Sequence, residues 1–302
     1  MSNIVITGAT GFIGRHLTEA LLSKGHHVTC LSRSNSVLKI LSENSVNLVT
    51  DYSKEVLTRQ LENCDVLVHL AGKRITRDDL PDMIYPFVND AAEKLDNILY
   101  ACKENYVKRV VTASSIGVYS DANNIPYVES DQPEPATLYG LTKLFSEQRV
   151  NLYARKYNTS VAHIRLAQCY GYGEKTTPAL MHFIEKAINK EKITLNNGGI
   201  FSIDEIYIED AVDAFINLIE TDKTGSFNIG SGRGYTILEI ANTVNTVFNN
   251  KDNITILPLE NEVKDTHMDT SKALSELHWE PKFSLSAGIE AIKKQYQAEK
   301  RL

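Results

Sequence analysis

The chain is expected to be α/β: a doubly wound parallel sheet followed by a smaller, partly interleaved C-terminal lobe. Strand and helix patterns alternate with short connections through its first half, which implies a parallel sheet covered by helices on both faces. A glycine triplet, Gly8-Ala9-Thr10-Gly11-Phe12-Ile13-Gly14, lies between the first strand and the first helix. In mid-chain, Tyr139 and Lys143 open a helix four residues apart, with Ser115 upstream at the end of a strand. Ligands of such sheets bind beyond the carboxyl ends of the strands. All three features point there.

Asn3 to Thr7 is a short apolar strand, and Ile13, Leu17, Ala20 and Leu21 then recur at helical spacing. Gly25 is a natural helix stop. Val28–Leu31 and Val46–Thr50 read as the next strands, and Asp65–Leu70 is nearly all apolar, as a strand buried on both faces should be. Val88, Ala91, Ala92, Leu95, Ile98, Leu99 and Cys102 mark one face of a long amphipathic helix. Val107–Ser114 is a fifth strand, Tyr139–Tyr157 a helix and Ser160–Arg165 a sixth strand. After Cys169 the pattern loosens. A helix is expected from Pro178 to Lys190, a tight turn at Asn196–Gly199, and strands at Ile206–Ile208 and Phe227–Ile229 around a helix from Asp210 to Glu220. One more strand (Ile254–Leu257) and two helices complete the expected lobe.

The bulk composition is that of an ordinary globular protein: of 302 residues, 42% are hydrophobic and 23% charged. A net charge of −6 argues against nucleic acid or an anionic membrane as the main partner. No apolar run reaches the roughly 18–20 residues that span a bilayer, and the N-terminus lacks a basic stretch leading into an apolar core, so a cytoplasmic location is expected. The four cysteines and eight histidines show no ligand or redox spacing, and no metal site is expected.

The glycine triplet builds a pyrophosphate site. Gly8 permits the tight turn, Gly11 lets the backbone approach the phosphates and Gly14 lets the helix sit close to the sheet, while the helix N-terminus supplies N–H donors and a positive dipole. Residues 1–168 are therefore expected to form a dinucleotide-binding domain and 169–302 a substrate-binding lobe, with segments near 204–230 returning to the first sheet. Tyr139 and Lys143 share a helix face. Moving a hydride at a carbinol carbon requires its hydroxyl proton to leave, so a base must sit within hydrogen-bond reach. Free tyrosine is a poor base at neutral pH, and an ammonium about 4 Å away stabilises a phenolate by roughly 4 kcal/mol. Ser115 would orient the substrate oxygen.

Further blocks stand in order: His69-Leu70-Ala71-Gly72, Ser114-Ser115-Ile116-Gly117-Val118-Tyr119, Ile164-Arg165 running to Tyr170-Gly171, Phe227 to Gly232, and Trp279-Glu280-Pro281. With the GxxGxxG spacing and the Tyr139/Lys143 pair, the chain resembles along nearly its whole length the extended short-chain dehydrogenase/reductases. These are the NAD(P)-dependent sugar-nucleotide epimerases, dehydratases and ketoreductases. The resemblance implies that Ser115, Tyr139 and Lys143 are catalytic, Lys143 also contacting the nicotinamide ribose. Gly8, Gly11, Phe12, Ile13 and Gly14 would hold the pyrophosphate. Asp51, with Tyr52 beside it, would meet the adenine, and Leu70, Ala71 and Gly72 would line the nicotinamide. Asn89 would support the lysine. A homodimer and a nucleotide-sugar substrate are expected.

The second strand ends Leu31-Ser32-Arg33 without the carboxylate that prefers NAD. Ser32 and Arg33 suit a 2′-phosphate, so NADP is the favoured cofactor, with NAD as the alternative. An NADPH-consuming 4-ketoreductase is accordingly placed before a 4-epimerase that keeps NAD bound. A non-catalytic NADP(H)-sensing protein is the alternative of another class. Three positions depart from the resemblance. Isoleucine (Ile203) and leucine (Leu259) stand where substrate-lobe arginines would fall, and Gln168 replaces an asparagine at the substrate. Lys73, with Arg74 and Arg77, is offered as a replacement anion contact or else a solvated basic loop. Ile116 and Gly117 lack the acidic pair of the dehydratases, which argues against dehydration.

Overall fold

The structure, a computed structural model, describes residues 1–33, 43–72, 84–174, 179–251, 253–260 and 263–299, with the side chains of residues 84–87, 89 and 90 outside the description. The elements run β1 (Asn3–Thr7), α1 (Phe12–Ser23), β2 (His27–Ser32), β3 (Ser45–Val49), α2 (Lys54–Gln60), β4 (Val66–His69), α3 (Ile84–Glu104), β5 (Arg109–Ser115), α4 (Leu138–Tyr157) and β6 (Ser160–Leu166). There follow β7 (Gln168–Tyr170), α5 (Ala179–Ile188), β8 (Ile193–Leu195), β9 (Ser202–Tyr207), α6 (Ile208–Glu220), β10 (Gly225–Ile229), β11 (Gly234–Thr236), α7 (Ile237–Val247), β12 (Ile254–Ile256), α8 (Ser271–Leu277) and α9 (Leu285–Ala298).

Two compact units result: residues 1–122, 129–165 and 212–227 form the first, and 123–128, 166–211 and 228–302 the second. A seven-stranded sheet in the order β10-β6-β5-β4-β1-β2-β3 organises the first. Pairing is parallel across β3, β2, β1, β4 and β5. Strand order reverses between β1 and β4, and that switch point opens a crevice at the carboxyl ends. Val5, Leu67 and Val110 of the sheet pack with Leu95, Ile98 and Leu99 of α3 and with Val150 and Tyr153 of α4 in one apolar cluster. The buried Arg109 guanidinium donates to the carbonyls of Leu218 and Lys223, each at 2.7 Å, and to the Ser160 hydroxyl. It thereby satisfies the Leu218 carbonyl, which the end of α6 leaves unpaired, and one in the loop beyond.

The second unit holds two small sheets, β11-β9-β7 and β12-β8. Asp204 on β9 accepts from the Ser231 N–H and hydroxyl, both at 2.7 Å, and from the Met268 N–H at 3.3 Å. Asp210 accepts from the N–H groups of Lys282 and Phe283 at 2.9 and 3.0 Å. At Gly288 of α9 a Cβ would overlap the Tyr170 hydroxyl, so only glycine lets helix and strand meet there.

Glu205, beside Asp204, is only 2% exposed, and among the described residues neither carboxyl oxygen has a hydrogen-bond partner. Burial, reinforced by the neighbouring Asp204, pushes its pKa well above the ordinary 4.5. The unfolded chain ionises Glu205 above that value while the folded chain keeps it protonated, so its cost to stability grows as pH rises past about 4.5. Glu205→Met is expected to raise Tm by a few degrees at pH 7.5, an unsatisfied buried group costing about 1–3 kcal/mol. The gain should shrink toward pH 4.5. A Tm that falls at both pH values would contradict this account.

Candidate active site

The chemistry-bearing residues of the first unit gather at the carboxyl ends of β1, β4 and β5. Gly8 follows β1 at φ +75°, and its carbonyl accepts from the Gly11 N–H at 2.9 Å. A Cβ on Gly8 would fall 2.8 Å from the Ala71 nitrogen, and one on Gly14 would overlap the Gly8 carbonyl. Helix α1 is capped by Gly11 with no side chain over its end and no acidic residue in its first turn, where Phe12 and Ile13 are half-buried. This concave turn with uncovered N–H groups fits a dinucleotide pyrophosphate.

At the end of β4 the Leu70 N–H donates to the Thr7 carbonyl at 3.1 Å, and the Ala71 N–H donates to the Thr7 hydroxyl at 3.4 Å. That hydroxyl also lies 2.7 Å from Nδ1 of His69. Desolvation of the ring, reinforced by the Lys143 ammonium, pulls the His69 pKa down to about 3, although the residue keeps part of its surface exposed. His69 is therefore neutral at physiological pH and leaves Lys143 as the positive group.

Ser115 closes β5, and its hydroxyl accepts from the Gly117 N–H at 3.1 Å. Helix α4 starts at a Thr137 cap whose hydroxyl accepts from the Gly140 N–H at 3.0 Å. Lys143 Nζ lies 5.6 Å from the Tyr139 ring centroid and donates to the Ala113 carbonyl at 2.9 Å. A Cβ on Gly140 would overlap the Gly117 carbonyl, and one on Gly72 would lie 3.6 Å from Lys143 Nζ. Ser115, Tyr139, Lys143 and Gly72 thus share one neighbourhood, and the two segments carrying the serine and the tyrosine meet backbone to backbone.

Asp51 is exposed after β3 and accepts from the Ser53 N–H at 2.8 Å. The helix cap is Ser53 rather than Asp51, because the Ser53 hydroxyl accepts from the Val56 N–H. Tyr52 is buried in the left-handed region at φ 62°, its N–H donating to the Thr50 hydroxyl and its carbonyl accepting from Asn97 at 3.0 Å. Ser32 is half-buried and Arg33 exposed at the end of β2. Asn89 lies within α3, its side chain outside the description, and Lys73, Arg74 and Arg77 lie outside the described residues. Gln168 opens β7 in the second unit, in register with Glu205. Among the described residues no group of three or more His, Cys, Asp or Glu is placed to hold a metal ion, and no helix is long and apolar enough to cross a membrane.

One set of residues has no counterpart in the expectations. Glu147, one turn beyond Lys143 on α4, accepts from Arg165 Nε at 3.1 Å and Nη2 at 2.9 Å. Both side chains are nearly fully buried, at 6% and 2% exposure. Burial pushes the Glu147 pKa up, but the Arg165 guanidinium outweighs it and holds the carboxylate ionised. Nη1 of Arg165 reaches the Tyr119 hydroxyl at 3.1 Å and the Glu129 carbonyl at 3.3 Å. Removing one partner of such a pair costs about 3–5 kcal/mol. The available signal was Arg165 at the end of the sixth expected strand; α4 has no apolar face on which Glu147 would stand out.

The model of the NAD-dependent epimerase/dehydratase family matches residues 4–230. The chain is 32% identical to the UDP-N-acetylglucosamine 4-epimerase of Bacillus cereus, whose crystal structure superposes with a TM-score of 0.87 over 98% of this chain and 97% of that one. It is 26% identical to a UDP-glucuronic acid 4-epimerase of Bacillus cereus solved with UDP-glucuronic acid and NAD, with a TM-score of 0.87 over 98% and 99% of the two chains. It is also 27% identical, over 95% of both chains, to an uncharacterized UDP-glucose epimerase of Bacillus subtilis.

Proposed function

The chain belongs to the NAD-dependent epimerase/dehydratase family, and from that premise we propose that it is a UDP-sugar 4-epimerase that retains NAD. The observation that carries this reading is the shared neighbourhood of Ser115, Tyr139, Lys143 and Gly72 beside the glycine turn. Two of the relatives named above are 4-epimerases, which supports the epimerase over the ketoreductase favoured by Ser32 and Arg33. NAD takes precedence over NADP for the same reason.

Gly8, Gly11, Phe12, Ile13 and Gly14 hold the pyrophosphate, Asp51 and Tyr52 the adenine side, and Leu70, Ala71 and Gly72 the nicotinamide side. Ser32 and Arg33 face the ribose 2′-hydroxyl. Once bound, the dinucleotide supplies the acceptor and donor of the C4 hydride. The chain's own work is on the proton. Tyr139 takes the C4 hydroxyl proton and returns it to the same oxygen once C4 is inverted, with Lys143 as the nearby positive charge. Ser115 donates to the same oxygen and stabilises the charge that develops there. Gln168 belongs to the substrate side.

The test is purified enzyme without added cofactor, offered UDP-glucose, UDP-N-acetylglucosamine and UDP-glucuronate, with products separated by chromatography. Conversion of at least one sugar to its C4 epimer is expected. Failure with all three would overturn the proposal.

A homodimer belongs to the same reading. Leu141, Phe145 and Leu152 are exposed along one side of α4 at helical spacing, an apolar stripe that a second copy would cover. Phe145→Glu is expected to shift the species seen by light scattering from dimer to monomer. A monomeric wild-type protein would contradict the assignment.

A further inference from the structure

We propose that the buried Arg165–Glu147 pair, together with the Tyr119 hydroxyl, positions Ser115 against Tyr139 and Lys143. The inference rests on the reading of those three residues as the reacting groups. Glu147 stands one turn past Lys143 and two turns past Tyr139, so its anchor fixes the rotation and depth of the helix that presents them. Arg165 holds Glu147 through two nitrogens, and its third nitrogen holds Tyr119, at the end of the turn that follows Ser115. The guanidinium also lies 5.0 Å from the Tyr119 ring centroid, so the ring is gripped by its face and by its hydroxyl.

Ser114, on the other side of Ser115, lies beside the Glu147 carboxylate without reaching hydrogen-bond geometry. The network therefore touches the serine segment at 114 and 119 and the helix at 147. Gly117 and Gly140 bring the same two segments into steric contact, but such packing prevents only closer approach. Directional bonds are needed to resist sliding, and a planar guanidinium fork supplies them.

Stability alone does not account for the pair. A buried ion pair replaced by apolar residues of similar size is often neutral or stabilising, whereas a misplacement of about 1 Å between reacting groups can cost on the order of 100-fold in rate. Conformational specificity is the property such a pair provides.

The experiment uses the full-length, NAD-loaded enzyme in three forms: wild type, Tyr119→Phe, and the double variant Arg165→Met with Glu147→Met. Tyr119→Phe removes one hydroxyl and leaves the ion pair. Expected for both variants is a kcat lower by about 10- to 100-fold with unchanged KM and NAD affinity, and a Tm near wild type. Crystal structures should show the Ser115 Oγ to Tyr139 Oη separation altered by about 0.5 Å or more in the double variant. Wild-type kcat in Tyr119→Phe, or an unaltered separation in the double variant, would overturn the inference. A wild-type enzyme that turns over no UDP-sugar would overturn the functional reading instead, and the crystallographic separation would still decide this one.

Discussion

Tyr139→Phe is expected to lower kcat by about 10²- to 10⁴-fold while NAD affinity stays unchanged. The substitution deletes the only group on the first turn of α4 that can exchange a proton with a sugar hydroxyl next to Ser115 and Lys143. It leaves the glycine turn after β1 untouched, and that turn is built from backbone alone. Steady-state kinetics and fluorescence titration with NAD separate the two effects. Retention of more than about a tenth of wild-type activity would remove Tyr139 from the proton path.

Lys143→Met is expected to act on both sides. The ammonium is held at 2.9 Å by the Ala113 carbonyl, so its place is set by β5 rather than by solvent. His69, at the end of β4, is kept neutral and would not replace it. Loss of a charge-assisted contact of about 1.5–3 kcal/mol should weaken NAD binding by roughly 10- to 100-fold. Turnover should fall at least as far, because Tyr139 loses its electrostatic partner. NAD affinity equal to wild type, measured by calorimetry, would show that Lys143 does not touch the cofactor.

The sheet was legible because its signals are strong and local. Asp65 to Leu70 could only be a strand buried on both faces, and β4 occupies Val66–His69 beside β1. Gly8, Gly11 and Gly14 declared the turn: Gly8 and Gly14 exclude a Cβ, and one on Gly11 would lie 3.1 Å from the Gly8 carbonyl. The second unit was less legible. Two helices were expected toward its C-terminal end without bounds, although Thr236 and Glu239 form a capping box at the start of α7 and Ile237, Ile240, Ala241 and Val244 supply its buried stripe. The lobe therefore has three helices after Thr236 where two were expected. Helix α2, seven residues long, presents only Leu57 to the core and offers no period to read.

Strand β9 runs Ser202–Tyr207, earlier than the apolar pattern suggested, because polar Asp204 and acidic Glu205 are buried in it. Sequence pattern places such residues outside. The Arg165–Glu147 pair escaped for a related reason: each looks like a surface charge until the partner eighteen residues away is brought against it. The cofactor preference rested on two residues, Ser32 and Arg33, whereas the family match extends over residues 4–230.

The central claim is that the C4 hydride returns to the sugar that gave it. A UDP-sugar carrying deuterium at C4 is incubated with the purified enzyme and excess unlabelled NADPH, and the products are analysed by mass spectrometry with nicotinamide absorbance recorded throughout. The account predicts that both C4 epimers retain the deuterium and that absorbance does not change. Replacement of the product's deuterium by hydrogen from the unlabelled NADPH would contradict it, because the abstracted hydride would then have left with a released cofactor.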